Sequence, residues 1–284
     1  MPRVLICSAV LCDPNSSHVR ILQEAGLEVV FPPEIRLLTE SDLLHLLSGI
    51  HATIAGPEPY TARVIETAKA LCVIARGGVG YDSVDVPTAT AHGVAVTITP
   101  GTNHDAVAEH AFALLLALAK DVVRQHQATV QGGWTRQPTI PVRGQTLGIV
   151  GLGRIGKAMA LRALAFGMKV LAAEKLPDVD FLRRHGIELV SLEELLRRSD
   201  FVTLHAPYTS ETHHLIRTET LRLMKPTAFL INTARGGLVC ERDLLEALRH
   251  GWIRGAALDV FEKEPPGDNP LFHLPNVIVT PHMA

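Results

Sequence analysis

Three ionisable side chains near the end of the chain are suited to acid–base chemistry on a carboxylic acid. They are Arg235, Glu264 and His282, and each follows a predicted β-strand. A guanidinium group binds a carboxylate through two hydrogen bonds, an imidazole transfers protons near neutral pH, and a neighbouring carboxylate favours the protonated imidazole. Taken singly, each would be interpreted as a turn or surface residue. Because ligands bind at the carboxyl ends of parallel strands, their joint occurrence there indicates a catalytic site.

A glycine-rich turn in the middle of the chain predicts a binding site for a dinucleotide. Gly151, Gly153 and Gly156 form a G-x-G-x-x-G pattern between an apolar strand predicted at 146–150 and a helical segment at 157–166. The first glycine permits a tight turn, the second lets the backbone approach a pyrophosphate, and the third lets the helix pack on the strand. Backbone N–H groups at the start of the helix then bind the anion.

The residue that ends the next predicted strand indicates which dinucleotide binds. Glu174 lies 23 positions after Gly151 (174 − 151), where a carboxylate can accept hydrogen bonds from both ribose hydroxyls. The same carboxylate would repel a 2′-phosphate, so the sequence predicts NAD as the cofactor. The neighbouring Lys175 leaves NADP open as an alternative.

The elements that position these residues alternate between β-branched runs and helical patterns. Strands are predicted at 4–6, 28–31, 52–55, 72–75, 94–98, 146–150, 169–174, 187–190, 201–206, 228–233, 253–260 and 277–280. Strands that alternate with helices imply parallel sheets, so we predict an α/β protein with two doubly wound parallel-sheet domains. Pro100-Gly101 marks the boundary between a domain at 1–99 and a domain at 100–282. One long helix is predicted from about His104 to about Val130.

The composition excludes several other classes of protein. The 284 residues are 47% hydrophobic and carry a net charge of −2, which argues against a general electrostatic affinity for nucleic acid. The longest apolar run, Ala111 to Ala119, is shorter than the about 20 residues that span a bilayer. The N-terminal residues lack the pattern of a signal peptide. The four cysteines contain no C-x-x-C pair, so we expect a reduced, cytoplasmic compartment and no metal site.

Seven stretches, spread over essentially the whole chain, match the motifs of a known family. They are 75–85 (ARGGVGYDSVD), 99–110, 146–156, 205–207 (HAP), 232–237 (NTARGG), 258–265 and 280–282 (TPH). Together they resemble the D-isomer-specific 2-hydroxyacid dehydrogenases, particularly the phosphoglycerate-dehydrogenase-like members. The resemblance implies hydride transfer between NAD and a small 2-hydroxy or 2-keto acid. It also implies a flavodoxin-like substrate domain, normally completed by a C-terminal segment after residue 282, with an inserted Rossmann NAD-binding domain.

The resemblance assigns roles to individual residues. Arg235 resembles the arginine that holds the substrate carboxylate and keto oxygen, His282 the acid/base, and Glu264 the carboxylate paired with that histidine. The loop whose backbone N–H groups receive the substrate carboxylate is expected at Gly78, Val79 and Gly80. The residues expected at the cofactor are Gly151, Gly153, Arg154, Ile155, Gly156, Glu174, His205, Pro207, Thr233, Ala234 and Asp259. The resemblance also implies a homodimer formed through the long helix at 104–130.

The resemblance leaves the substrate and the class of activity open. Some phosphoglycerate dehydrogenases carry an arginine for the substrate phosphate near residue 57, where this sequence has Gly56-Pro57-Glu58-Pro59-Tyr60. A glyoxylate or hydroxypyruvate reductase is therefore an alternative. A second alternative, from another class, is an NAD-sensing binding protein like the corepressors that resemble this family, because such proteins can keep the same three ionisable residues.

Overall fold

The chain is divided into two compact units. The computed structural model describes all 284 residues, and its division places Met1–Asn103 in the first unit and His104–Ala284 in the second. The division lies beside the domain boundary predicted near residue 100. Each unit contains a sheet of parallel strands, which confirms the predicted α/β class.

The first unit is built around five strands connected by four helices. The strands are β1 (Arg3–Ile6), β2 (Glu28–Val30), β3 (Ala52–Ala55), β4 (Val73–Arg76) and β5 (Ala95–Thr97). The helices are α1 (Ser17–Glu24), α2 (Glu40–Leu46), α3 (Ala62–Thr67) and α4 (Val86–Ala91). All strands are parallel and lie in the order β2-β1-β3-β4-β5. This is the flavodoxin-like order, as expected for the substrate domain of the family.

The apolar runs of the first unit form strands because both faces of its sheet are covered. Leu5 and Ile6 are adjacent in β1, are both fully buried, and pack into different hydrophobic clusters. Polar caps determine where helices begin. Thr39 precedes α2 and accepts a hydrogen bond from the backbone of Asp42, whose side chain accepts one from the Thr39 backbone. This capping box satisfies backbone groups that the helix itself leaves unpaired.

The second unit contains a sheet of seven parallel strands. They are β6 (Thr146–Val150), β7 (Lys169–Ala173), β8 (Glu188–Leu189), β9 (Phe201–Leu204), β10 (Phe229–Asn232), β11 (Gly255–Leu258) and β12 (Val277–Val279). Their order is β12-β11-β10-β9-β6-β7-β8, which is the Rossmann order with β12 added at one edge. The direction of winding reverses between β6 and β9. Ligands of such sheets bind at this switch point, outside the carboxyl ends of the strands.

Helices cover both faces of the second sheet. They are α5 (His104–Lys120), α6 (Val122–Val130), α7 (Arg154–Ala165), α8 (Val179–His185), α9 (Leu192–Arg198), α10 (Thr218–Leu221) and α11 (Glu241–Arg249). Leu147 and Ile149 of β6 pack with residues of α5 and α7, whereas Val150 packs on the other face with residues of α9 and α11. Because the strands are buried on both faces, they read in the sequence as continuous apolar runs.

The prediction of one long helix from His104 to Val130 is wrong. The structure has two helices, α5 and α6, separated at Asp121, which adopts the left-handed conformation with a φ of 54°. Aspartate tolerates this conformation better than most residues. The Asp121 carboxylate also accepts hydrogen bonds from Arg124 Nε at 2.8 Å and Gln125 Nε2 at 2.9 Å, which stabilises the break. The segment expected at a dimer interface is therefore not one continuous helix.

No helix of the protein has the length and apolar content needed to cross a membrane.

All four cysteines are free thiols. Cys7, Cys12 and Cys240 are buried, and Cys72 is exposed.

Candidate active site

The three predicted catalytic residues follow three neighbouring strands of the second sheet. Arg235 follows β10, Glu264 follows β11 and His282 follows β12. Strand β11 pairs with β10 on one side and with β12 on the other, all in parallel register. The loops that carry the three side chains therefore leave the sheet at the same edge.

The imidazole of His282 is bound to the carboxylate of Glu264. The distance from His282 Nδ1 to Glu264 Oε2 is 2.7 Å, and the other carboxylate oxygen accepts a hydrogen bond from the backbone of Phe261 at 3.0 Å. The side chains of His282 and Glu264 remain 32% and 25% exposed, so the pair is accessible from solvent. Because Nδ1 is held by the carboxylate, Nε2 is the ring nitrogen that can exchange a proton with a substrate.

A buried carboxylate holds the segment that carries His282. Asp259 is fully buried, and its side chain accepts hydrogen bonds from Thr280 Oγ1 at 2.6 Å and from the backbones of Met283 and Ala284 at 3.0 Å. The backbone of His282 donates to the Asp259 carbonyl at 2.8 Å. Asp259 was predicted to contact the cofactor, and that role stays a prediction. In the structure, its carboxylate fixes the residues on both sides of His282.

Sequence reasoning missed the contribution of His110. Its Nε2 atom lies 3.1 Å from Thr280 Oγ1 and 3.5 Å from Asp259 Oδ1, so the imidazole packs behind the His282 segment. His110 is on α5, 170 positions before Thr280 in the sequence. It lies in the 99–110 stretch that carries the family resemblance, and no spacing pattern connects it with the end of the chain.

The position of Arg235 is fixed by its own loop and by the close approach of a second loop. Buried Asn232 donates through Nδ2 to the Arg235 carbonyl at 2.8 Å and accepts from the Ala234 backbone at 3.0 Å. Arg235 Nη1 donates to the Ala234 carbonyl at 2.7 Å. A Cβ atom at Gly236 would lie only 1.9 Å from the carbonyl carbon of Phe261, so only glycine allows the two loops to pack. The loop of Arg235 thus contacts the loop that leads to Glu264.

The glycine-rich turn has the geometry that its sequence predicts. Gly151 has a φ of 91°, and a Cβ atom there would lie 2.6 Å from the backbone nitrogen of Ala206. A Cβ atom at Gly156 would lie 2.1 Å from the Gly151 carbonyl oxygen, whereas nothing lies within 4 Å of one at Gly153. The surface above Gly153 is therefore open. Helix α7 begins directly after it, at Arg154 and Ile155, with its N–H groups available to a pyrophosphate.

The Glu174 carboxylate lies against this turn. Its Oε2 accepts a hydrogen bond from the Leu152 backbone at 2.6 Å, and its Oε1 accepts one from the Leu176 backbone at 3.0 Å. Glu174 thus lies where a ribose next to the pyrophosphate is expected. The neighbouring Lys175, which would be needed to bind a 2′-phosphate, forms an ion pair with Glu211.

Two buried polar atoms without hydrogen-bond partners lie near the switch point, after β9 and β10. They are His205 Nδ1 and Thr233 Oγ1. His205 Nε2 lies 3.0 Å from Thr203 Oγ1, and burial lowers the pKa of His205 to about 4, so the imidazole is neutral at physiological pH. Unpaired buried polar groups are costly, and a ligand that bonds to them removes the cost. These atoms, together with the open turn, fit a bound nicotinamide dinucleotide. Pro207 and Ala234 flank the same two strand ends.

The comparisons with known proteins agree with this geometry. The family model described as "D-isomer specific 2-hydroxyacid dehydrogenase, NAD binding domain" matches residues 112–284. The glyoxylate reductase of Pyrococcus furiosus is 41% identical over 293 aligned positions, which cover 100% of this chain and 86% of that protein. The chain therefore belongs to the family of D-isomer-specific 2-hydroxyacid dehydrogenases. It is an NAD-dependent oxidoreductase that acts on 2-hydroxy acids.

Two further relatives show how widely the family similarity extends. The D-3-phosphoglycerate dehydrogenase of Methanocaldococcus jannaschii is 42% identical over 281 aligned positions, which cover 97% of this chain but only 53% of that protein. The crystal structure of D-lactate dehydrogenase from Aquifex aeolicus, complexed with NAD and lactic acid, superposes with a TM-score of 0.85. It is 32% identical, and the match covers 98% of this chain and 88% of that one. These relatives are named as enzymes, which favours the dehydrogenase over the corepressor-like alternative.

The predicted substrate loop of the dehydrogenase belongs to the first unit. Gly78, Val79 and Gly80 follow β4, and two hydrogen bonds hold their loop. Arg76 Nε donates to the Gly80 carbonyl at 2.9 Å, and the Thr99 backbone donates to the Gly78 carbonyl at 3.0 Å. The binding of a substrate carboxylate by this loop stays a prediction.

We expect acid to destabilise the dehydrogenase partly through His205. Its pKa of about 4 lies below the about 6.5 of a histidine in an unfolded chain. Between these two values the unfolded chain binds a proton that the folded chain does not, so the free energy of unfolding falls as the pH drops from about 6.5 to about 4. The difference between these two pKa values corresponds to at most about 3.4 kcal/mol.

Urea unfolding of the wild type and the His205→Asn variant at about pH 7 and about pH 4.5 measures this effect. The variant cannot titrate at this position, so its free energy of unfolding should decrease less than that of the wild type on acidification. His273→Asn, which changes an exposed histidine, is the control and should behave like the wild type. An equal decrease in the wild type and His205→Asn would show that His205 does not titrate as expected.

Proposed function

We propose that Arg235, Glu264 and His282 are the catalytic residues and that the enzyme reduces a small 2-keto acid without a phosphate group, such as glyoxylate or hydroxypyruvate. The 2.7 Å contact between His282 and Glu264, on the same edge of the sheet as Arg235, carries the proposal for the chemistry. The absence of lysine and arginine from residues 56–60 carries the proposal for the substrate class. Glyoxylate reductases from several archaea are among the relatives of this chain.

The three side chains have complementary roles in this reduction. Arg235 binds the substrate carboxylate and orients the keto oxygen, because its planar fork can make parallel hydrogen bonds. When bound, reduced nicotinamide supplies the hydride that the keto carbon receives. His282 donates a proton from Nε2 to the keto oxygen, which becomes the hydroxyl group. Glu264 orients the ring through Nδ1 and balances the positive charge of the imidazolium. In the oxidation direction, His282 accepts the same proton.

The loop that follows β3 disfavours a phosphorylated substrate. Glu58 is buried with 1% exposure, and its Oε2 accepts a hydrogen bond from the Gly56 backbone at 2.6 Å. Burial raises the pKa of the Glu58 carboxyl. Residues 56–60 contain no lysine or arginine that could bind a phosphate. An acidic side chain thus occupies the loop in which some phosphoglycerate dehydrogenases carry an arginine.

Steady-state kinetics with a panel of 2-keto acids test the substrate class. We expect kcat/KM for glyoxylate or hydroxypyruvate to exceed that for 3-phosphohydroxypyruvate by roughly tenfold or more, because residues 56–60 offer no cation to pair with the phosphate and one such contact is about 1.4 kcal/mol. Pyruvate serves as an unphosphorylated comparison. A preference for the phosphorylated acid would overturn the substrate proposal. Activity with none of these acids would overturn the reductase proposal itself.

A preference for NAD over NADP is expected from Glu174. In the Glu174→Ser variant the ratio of kcat/KM for NADH to that for NADPH should fall by about tenfold, because the carboxylate that repels a 2′-phosphate is lost. Steady-state kinetics with both cofactors measure the ratio. Glu193→Ser removes an exposed carboxylate from α9 and is the matched control, whose ratio should equal that of the wild type. Equal efficiency of the unmodified enzyme with both cofactors would contradict the assignment.

The proposal includes a homodimer in the cytoplasm. Val122, Val130 and Trp134 lie on or just after α6 and are 53%, 72% and 84% exposed, which leaves an apolar surface that a second copy of the chain could cover. Light scattering of the purified protein measures the oligomeric state.

The proposed location in the cytoplasm rests on the four free cysteines, because free thiols are typical of a reducing compartment.

A further inference from the structure

A histidine, a cysteine and a glutamate come together near the catalytic loops without being part of the catalytic group. They are His214, Cys240 and Glu262, called here the thiol cluster. One ligand-type atom from each residue lies within 4.8 Å of those of the other two. The imidazole Nε2 of His214 is already in contact with the Glu262 carboxylate. The mechanism proposed above uses none of the three.

Backbone hydrogen bonds hold the three segments of the thiol cluster in place. The His214 backbone donates to the Gly237 carbonyl at 2.8 Å, and the Cys240 backbone donates to the Ile216 carbonyl at 2.8 Å. The Glu262 backbone donates to Glu241 Oε1 at 2.6 Å. His214 has a φ of 49°, which few residues other than glycine adopt. The fold therefore fixes the backbones of all three segments, whereas the side chain of Glu262 is exposed.

Cys240 is the N-cap residue of α11, and its thiol also interacts with Asp243 in the first turn of that helix. Residue Cys240 is 8% exposed, and its Sγ lies within 4.8 Å of a ligand-type atom of His214 and of Glu262.

We propose that the thiol cluster binds one zinc ion through His214 Nε2, Cys240 Sγ and one carboxylate oxygen of Glu262. Zinc takes nitrogen, sulfur and oxygen ligands at about 2.0–2.3 Å, which in a tetrahedron places the ligand atoms about 3.5 Å apart. The three atoms lie within 4.8 Å of one another, so binding requires them to move closer together. A thiolate is a poor ligand for magnesium or calcium, and the mixed set therefore favours zinc among the abundant divalent cations. A water molecule completes the fourth position.

Zinc in this position joins two loops that carry catalytic residues. Glu262 is two positions before Glu264, and His214 is bonded to the residue two positions after Arg235. A bound ion therefore adds a link between these loops and the segment of His214, and it should stabilise the folded state in proportion to its binding free energy. This site is independent of the substrate that the enzyme uses.

Cobalt titration of the full chain, after treatment with a chelator, tests the site directly. Co²⁺ replaces zinc in such sites and gives a thiolate-to-metal charge-transfer absorption that only a bound cysteine produces. We expect one equivalent of Co²⁺ to produce this absorption and one equivalent of Zn²⁺ to abolish it. Zn²⁺ should also raise the Tm of the wild type. The readouts are spectroscopic and thermal, so a failed assay of enzyme activity does not affect them.

Three variants distinguish metal binding at the thiol cluster from metal binding at other thiols of the chain. Cys240→Ser should lose the absorption and the Tm increase, and serine is a good N-cap, so we expect this variant to fold. His214→Asn should weaken cobalt binding by at least about tenfold, since even the loss of an outer-sphere partner has an effect of that size. Cys72→Ser removes the exposed thiol of the first unit and should bind like the wild type.

The proposal is wrong if Cys240→Ser keeps the absorption, if Cys72→Ser loses it, or if the wild type binds no cobalt at one equivalent. In each of these cases the contact between His214 and Glu262 is an ordinary ion pair.

Discussion

Replacing Arg235 with lysine should lower kcat/KM for the 2-keto acid by roughly 10-fold to 150-fold. Lysine keeps the positive charge but cannot make two parallel hydrogen bonds to a carboxylate. The loss of one hydrogen bond to a charged group is about 1.5–3 kcal/mol, which gives an effect of this size. Asn232 and the close packing at Gly236 hold the loop independently of the guanidinium, so we expect the variant to fold.

The binding of NADH should change little in Arg235→Lys, and fluorescence titration with NADH distinguishes a loss of substrate binding from a general defect. Arg217→Lys is the matched control. Arg217 is exposed and pairs with Glu219 at 2.8 Å, so its variant should keep wild-type kinetics. Near-normal kcat/KM in Arg235→Lys would show that Arg235 does not anchor the substrate.

Replacing His282 with asparagine should lower the rate of the reduction step by about 10² to 10⁴, the range that a positioned general acid contributes. Asparagine suits the site because His282 has a φ of 51°, a conformation that asparagine tolerates well. Its amide can still donate to Glu264, so the local structure is retained. What it cannot do is transfer a proton.

Single-turnover measurements of NADH oxidation test the role of His282, because product release cannot mask the chemical step. Glu264→Gln keeps a hydrogen-bonding group beside the ring but removes the negative charge, and its rate should lie between those of the wild type and His282→Asn. His273→Asn, on an exposed histidine 2.9 Å from Asp268, should react at the wild-type rate. A rate in His282→Asn within a few-fold of the wild type would mean that another group supplies the proton.

Local patterns were sufficient to predict the elements of the fold. Each predicted strand is present, because a run such as Val4-Leu5-Ile6 is buried on both faces of a parallel sheet. The ends of the strands were less well predicted. The strand expected at 253–260 ends at Leu258, since Asp259 and Val260 are buried in the loop that follows and buried residues resemble strand residues whether or not they pair.

The residue types of the site were also predictable from the sequence. The glycine spacing at 151–156 predicted the turn seen in the structure. Close contacts exclude a side chain at Gly151 and at Gly156, and the space above Gly153 is open. The family resemblance supplied the roles of Arg235, Glu264 and His282. The order of the strands then brought their loops to one edge of the sheet.

Contacts between distant segments were decided by the tertiary structure alone. The sequence determined which residues form strands and helices and which types of side chain stand at the strand ends. Only the folded chain places His110 against Thr280 and Asp259, and His214 against Cys240 and Glu262. It also breaks the helix at Asp121. Periodicity reports only the environment of neighbouring residues, whereas these contacts depend on the order in which strands join the sheet and on how their loops pack against one another.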